Sequence, residues 1–265
     1  KLSPKPVSPK KEEIQELPKF GLSDEEIEKI NNGEDKPLNS YLKSPEDIIA
    51  YIIAYKSKMN VLWVEGIDFT VSENVFKDHV FETIHLDNCK ISYSQTFRLT
   101  SVQPTGHVAK KEIKLTNGTL NKSNAQCVSI FWASKYDLSN NNLDDEDLSS
   151  SYTNGITELN VSGNNLTDKV FNRVKQSSYL KKLNLSNNKI TDRGLISFLV
   201  DQNLYIESDF SNNLITSQAI EELAKTVDFY YLARLKVLNT SLDEATFKTL
   251  LIASAKDVKA KAKLL

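Results

Sequence analysis

Only two cysteines, three histidines and one methionine occur in the 265 residues. Cys89 and Cys127 stand more than thirty residues apart. That is too few for a disulfide-stapled scaffold and predicts two reduced, buried thiols in a reducing compartment, hence a cytoplasmic protein. His79, His85 and His107 are too sparse and irregular for a metal site. The chain lacks a glycine-rich phosphate loop, an HExxH and a paired CxxC. The expectation is a non-catalytic chain with no cofactor, no metal and no small-molecule substrate. Long apolar runs are also missing. The stretch 48–54 is among the longest, far short of a bilayer's thickness, so no membrane association is expected. Charge of one sign is lacking too: the net value of −2 gives no global reason to bind nucleic acid or anionic lipid. The acidic run 144–147 has neither the glycine nor the alternation of a calcium loop and reads as charge at a helix N-terminus. The sequence opens on Lys1 and its methionine is Met59, so the natural start is expected upstream and the lack of a signal peptide says nothing.

What the chain does have is a repeat. Residues 180–190 read LxxLxLxxNxI, through Leu180, Leu183, Leu185, Asn188 and Ile190. The frame recurs upstream as Ile156, Leu159, Val161, Asn164 and Leu166, and again as Tyr136, Leu138, Asn141 and Leu143. Weaker copies run through Phe210, Asn213 and Ile215, then Leu235, Val237, Thr240 and Leu242. Toward the N-terminus they run through Ile113, Leu115, Gly118 and Leu120, then Ile84, Leu86, Cys89 and Ile91, and first Leu62, Val64, Ile67 and Phe69. Marked at one apolar position, with Ser208 standing in once, the units fall at 62, 84, 113, 136, 159, 183, 208 and 235. The intervals lie within the span of about 20 to 29 residues typical of such units.

These windows resemble the leucine-rich-repeat family over roughly residues 59–255. The resemblance implies an α/β solenoid: a right-handed horseshoe with a parallel concave sheet and helices on the convex side. The stretch 190–195 (ITDRGL) is similar to the helix start of the ribonuclease-inhibitor-like subfamily, although the units here are somewhat short for it. The physics agrees. An LxL pair points inward from a short strand, alternating with outward residues. The asparagine then satisfies backbone groups that the turn leaves unpaired, so Asn141, Asn164, Asn188 and Asn213 should form a ladder, with Cys89 in its place in the second unit. That placement weakens any reading of Cys89 as a nucleophile beside His85. Helix starts are signalled by Thr70 with Glu73, Ser92 with Gln95, and by Asp144, Thr167, Thr191, Thr216 and Asp243.

A single repeat cannot bury its own apolar face, so the stack needs covers. Residues 1–20 read as a flexible tail or linker remnant, with Pro4, Pro6, Pro9 and several lysines. Residues 21–58 read as an N-terminal helical cap. It has one helix from Ser23 to about Gly33, and one from Ser44 and Pro45 burying Ile48, Ile49, Ile52 and Ile53. Residues 59–265 read as about eight repeats with a C-terminal helical cap, closed by Leu250, Leu251 and Ile252 and ending in a solvated basic tail.

In this family a partner sits against the concave sheet. Carried onto this sequence, that implies candidate contacts at Trp63, His85, Lys114, Asp137, Asn160, Asn184, Asp209 and Lys236, with Asp87 one position-pair further on. Trp63 reads either as an interface anchor or as a residue held under the cap. The second unit is the longest and carries Tyr93, Phe97, Arg98 and His107, which form either a functional insertion or a surface loop. The clusters Phe131–Trp132 and 229–231 read as convex packing. Charges on the concave face (Glu158, Lys181, Lys182, Glu207, Arg234) are mixed in sign, which again argues against nucleic acid. Sequons at Asn160 and Asn184 would place glycans on the binding sheet, which favours a protein that never meets the glycosylation machinery. The functional expectation is a monomeric protein–protein interaction scaffold resembling leucine-rich-repeat effectors of intracellular bacteria, working in a host cytosol. The alternative is the recognition module of a larger enzyme, such as a ubiquitin ligase effector. The more distinctive surface residues lie in the N-terminal half.

Overall fold

The inward-facing apolar pairs dictate the architecture, because each strand has one face to hide and only a neighbouring repeat to hide it against. The computed structural model describes residues 17–77, 81–101, 110–128, 133–148, 156–174, 179–201, 206–226, 235–238, 240, 241, 245, 248 and 252. Eight strands form one parallel sheet in chain order: β1 (Val61–Glu65), β2 (Thr83–Asp87), β3 (Lys110–Thr116), β4 (Ala133–Asp137), β5 (Glu158–Asn160), β6 (Lys182–Asn184), β7 (Glu207–Asp209) and β8 (Leu235–Lys236). The marker positions read from sequence are paired directly: Leu62, Ile84, Ile113, Tyr136, Leu159, Leu183, Ser208 and Leu235 lie in one continuous register.

Three buried rows run the length of the stack. The marker row is the first. The second is Val64, Leu86, Leu115, Leu138, Val161, Leu185, Phe210 and Val237, and the third is Phe69, Ile91, Leu120, Leu143, Leu166, Ile190 and Ile215. Past each strand the backbone turns through a left-handed residue, at Gly66, Asn88, Asn117, Asn140, Gly163, Asn187 and Asn212, with φ between 49° and 68°. Glycine and asparagine are the residues that tolerate that conformation. Each of these amides donates to the next rung, as Gly163 does to Ser186 O at 2.9 Å.

The asparagine ladder holds the turns together. Asn164 Nδ2 donates to Leu138 O, Val161 O and Ser162 O at 3.0–3.1 Å, and its Oδ1 accepts from the amides of Asn141 and Leu143 at 3.1 and 3.0 Å. Cys89 takes the place in its unit, buried, with Sγ donating to Asp87 O at 3.4 Å, and burial pushes its thiol up to about 11. In the third unit Gly118 has no side chain to offer. The adjacent Thr119 hydroxyl fills the gap, donating to Leu86 O at 3.1 Å and accepting from Cys89 N at 3.1 Å. A second ladder runs where the convex segments begin. Carboxylates of Asp145, Asp168 and Asp192 accept from both the amide and hydroxyl of Thr167, Thr191 and Thr216 in the following unit, at 2.5–3.0 Å.

Convex segments vary in length. Helix α3 (Tyr93–Ser101) opens on the expected capping box of Ser92 with Gln95, whose amide also donates to Phe69 O at 2.8 Å. Helices α5 (Asp192–Asp201) and α6 (Ser217–Thr226) serve later units, and α4 (Phe171–Val174) is one turn following a 3₁₀ turn. The capping box expected of Thr70 with Glu73 does not form. Asp68 accepts from Thr70 N at 3.0 Å and starts a 3₁₀ turn, while Glu73 reaches across to the hydroxyls of Ser92 and Ser94. The run 144–147 makes a turn, Asp144 and Asp147 each accepting from the other's amide at 3.3 and 2.9 Å, and the segment after residue 148 lies outside the described residues.

The N-terminal elements cover β1. Helix α1 (Asp24–Asn32) closes on left-handed Gly33, which lies so near Val61 that no Cβ would fit. Helix α2 (Pro45–Tyr55) has Ser44 as N-cap and buries Ile48, Tyr51, Ile52 and Tyr55. The expected role of Ile53 is not met: it is exposed, and the stacked rings of Tyr51 and Tyr55, 4.5 Å apart, take the inward face instead. Asn39 closes the edge of β1 as a strand would, donating to Glu65 O at 2.9 Å and accepting from Glu65 N at 3.1 Å. At the other end Ile252 is exposed, and Leu250 and Leu251 lie outside the described residues, as do the tails at 1–16 and 253–265, Asp243 and the clusters 131–132 and 229–231.

Candidate functional site

Alternation along the strands sends every second side chain outward, and parallel register then lines those side chains up across the sheet. One row reads Trp63, His85, Lys114, Asp137, Asn160, Asn184, Asp209 and Lys236, as the sequence predicts. The row two residues earlier reads Glu112, Lys135, Glu158, Lys182 and Glu207, charges alternating at every rung. Sequence reasoning named the last three but missed Glu112 and Lys135, which the same two-residue step back from Lys114 and Asp137 would have found. Lys181 falls one residue off this row, and Arg234 lies outside the described residues.

Together the two rows line a groove of about 670 Å³ spanning β3 to β8. Its side chains are largely committed to one another. Lys135 pairs with Glu158 at 3.0 Å and Lys236 with Asp209 at 2.7 Å. In the middle row, Asp137, Asn160, Asn184 and Asp209 each accept from the amide two residues on, at 2.9–3.1 Å. These local bonds are the Asx turns that asparagine and aspartate favour. They hold the side chains in fixed orientations. Burial raises the Asp209 carboxyl, but the bonds from Lys236 and Ser211 outweigh it and leave it below the usual range.

The N-terminal end of the face is built differently. Half-buried Trp63 meets the His85 ring edge-on at 5.9 Å. His85 Nε2 lies 2.9 Å from Glu112, which also pairs with Lys114 at 3.1 Å. The hydrogen bond from His85, helped by Lys114 and opposed by burial, lowers the Glu112 carboxyl to about 2. Asp87 accepts from Thr116 at 2.5 Å and from Asn117. Tyr93, Phe97 and Arg98 sit on α3, away from this sheet, so that part of the long second unit is ordinary helix with two exposed aromatic rings. His107 lies outside the described residues. The groove takes in β3–β8, so Glu112 and Lys114 of the earlier repeats line it, while Trp63, His85 and Asp87 lie beyond its end.

Among the described residues no three His, Cys, Asp or Glu side chains converge to hold a metal ion. Nor is any helix among them long and apolar enough to cross a membrane. A family profile described as Leucine Rich repeat matches residues 156–169 and 176–199, the two most regular units. The fold is a leucine-rich-repeat solenoid. No curated protein matches the chain. Among solved structures the solenoid is similar to one titled "Leiomodin-1 Actin-Binding Site 2 (ABS2)", at 18% identity over 58% of this chain and 86% of that one, with a TM-score of 0.34. A likeness that distant carries nothing about function.

Proposed function

We propose that this leucine-rich-repeat solenoid is a non-catalytic scaffold that holds a partner protein against its concave sheet. The supporting observation is the groove over β3–β8, walled by rows of mixed-sign charge whose polar groups are held in place by Asx turns. Orienting donors and acceptors before a partner arrives lowers the entropic cost of association. Alternating charge favours a partner of matching pattern over any uniformly charged polymer. The partner we propose is a cytosolic protein of a host cell, a reading supported by the sequence's resemblance to bacterial leucine-rich-repeat effectors.

The test is site-specific photo-crosslinking with the full chain in host lysate. A photoreactive residue at Asn184, in the groove, is expected to capture a discrete protein, whereas one at exposed Lys225 on α6 is not. Capture from Lys225 alone would put the interaction on the convex side and refute the reading.

A further inference from the structure

Several charges on the concave face are paired with a neighbour; Glu65 and Asp87, on the strands that carry Trp63 and His85, have no cation partner among the described residues. On β1–β3 the outward side chains are Trp63 and Glu65, His85 and Asp87, and Glu112, Lys114 and Thr116. Glu112 is engaged with His85 at 2.9 Å and Lys114 at 3.1 Å, so Lys114 is already paired. Glu65 and Asp87 are register partners, adjacent across the strands, and no cation among the described residues pairs with either. Among the described residues, the Asp87 side chain accepts hydrogen bonds from the neutral groups of Thr116 and Asn117. The result is an aromatic ring next to two carboxylates without a cation partner among the described residues, on a surface where Glu112, Glu158 and Asp209 each have one.

The ring and the strand that bears it are both fixed. His85 buttresses Trp63 from one side, edge-on at 5.9 Å. Asn39 clamps both backbone groups of Glu65, at 2.9 and 3.1 Å, so the end of β1 cannot fray. A planar cation is what such a place receives best. Guanidinium stacks on an indole face and offers its remaining N–H groups edgewise to carboxylates, whereas an ammonium is a compact, strongly hydrated charge.

We propose that Trp63, Glu65 and Asp87 form an arginine-recognition site, in which a partner's guanidinium stacks on the indole and bonds the two carboxylates. This rests on the reading that the concave face binds a protein, and it names the side chain that one end of that face selects.

The test uses a blocked Gly-Arg-Gly-Arg-Gly peptide and its lysine counterpart, titrated at about physiological ionic strength, where exposed charges more than about 8 Å apart are screened. Binding is read from the indole Nε1–H resonance of Trp63, assigned with a Trp132→Phe variant, and by calorimetry on the unaltered chain. The arginine peptide is expected to shift that resonance saturably and to bind about five- to tenfold tighter than the lysine peptide, the gain expected of a desolvated cation–π contact. Glu65→Gln combined with Asp87→Asn should remove the preference, and Trp63→Ala should abolish binding. If Trp63→Ala does not fold, Trp63→Leu with Glu65→Gln serves instead. Equal response to the two peptides, or arginine binding that survives loss of the carboxylates, overturns the site. Groove crosslinking from Asn184 is a separate observation: its success with no peptide preference refutes only this inference, and its failure with a clear preference refutes only the wider reading.

Discussion

Replacing Asn164 with alanine should cost about 3 kcal/mol of stability, and the structure says where that cost arises. Five hydrogen bonds leave with the side chain, but they are not equal. Each of the three carbonyls it serves keeps another donor. Leu138 O retains Asn141 Nδ2 at 2.9 Å, Val161 O retains Asn188 Nδ2 at 3.0 Å, and Ser162 O retains the amide of Asn140 at 2.9 Å. The two amides it accepts from, Asn141 N and Leu143 N, are left inside the stack with nothing. An orphaned buried donor costs about 1–3 kcal/mol, so two give a few kcal/mol, trimmed by whatever water can enter. Urea denaturation measures the loss, with an unchanged m-value showing that the exposed surface on unfolding is the same. Amide exchange localises it: the protection of Asn141 and Leu143 should fall more than that of their neighbours. Asn165→Ala is the control, because among the described residues its side-chain amide bonds Asn142 alone, at the surface, and it should stay within about 0.5 kcal/mol. A cost below about 1 kcal/mol for Asn164→Ala, or exchange at those two amides no faster than before, would refute the claim that side-chain acceptors hold the turns together.

Two further outcomes follow from the turns and the concave face. Gly66 and Gly163 share a left-handed conformation, φ 68° and 65°, but an added Cβ at Gly66 meets open space while one at Gly163 would fall on Asn140 Oδ1. Gly66→Ala should therefore cost about 1 kcal/mol from backbone strain alone, and Gly163→Ala measurably more in the same urea assay; equal costs would show that the neighbouring asparagine simply moves aside. Glu112, lowered to about 2, is charged in the folded chain well below the pH at which an unfolded glutamate protonates. Its contribution is thus fully present above about pH 4.5 and is lost as pH falls toward 2. After screening it amounts to about 1–2 kcal/mol. Glu112→Gln should flatten that part of the stability–pH curve relative to the parent chain, and parallel curves would remove His85 and Lys114 as effective partners.

Much of the scaffold could be read before any coordinates, because repetition makes each unit a check on the next. The register from Leu62 to Leu235 needed only a period and one apolar pair, and Ser208 was placed by its neighbours although it is not apolar. Less legible was anything settled between units. Thr119 stands in for a missing ladder side chain because Gly118 vacates the position, and no local pattern announces it. Glu73 abandons an available capping box for two serines of the next repeat, since a 3₁₀ turn started by Asp68 leaves no helix there for it to cap. Tyr51 and Tyr55 displace Ile53 from the inner face because helical periodicity puts 48, 51, 52 and 55 on one stripe and 53 off it, which the run of isoleucines obscured.

The functional face shows the same division between what a strand dictates and what its neighbours decide. Alternation alone assigns Trp63, His85, Lys114, Asp137, Asn160, Asn184, Asp209 and Lys236 to one surface, and all eight share a register row. Which of them can still engage a partner depends on interactions across strands. Lys236 and Asp209 neutralise each other, as do Lys114 and Glu112, and the four Asx residues spend one oxygen apiece on their own turns. A charge counted from sequence is therefore a poor guide to recognition on this sheet, where lysine and carboxylate alternate at neighbouring rungs and cancel. Selectivity rests on the groups that the cancellation leaves over, and on β1 and β2 those are an indole and two carboxylates at the one end of the sheet that Asn39 clamps.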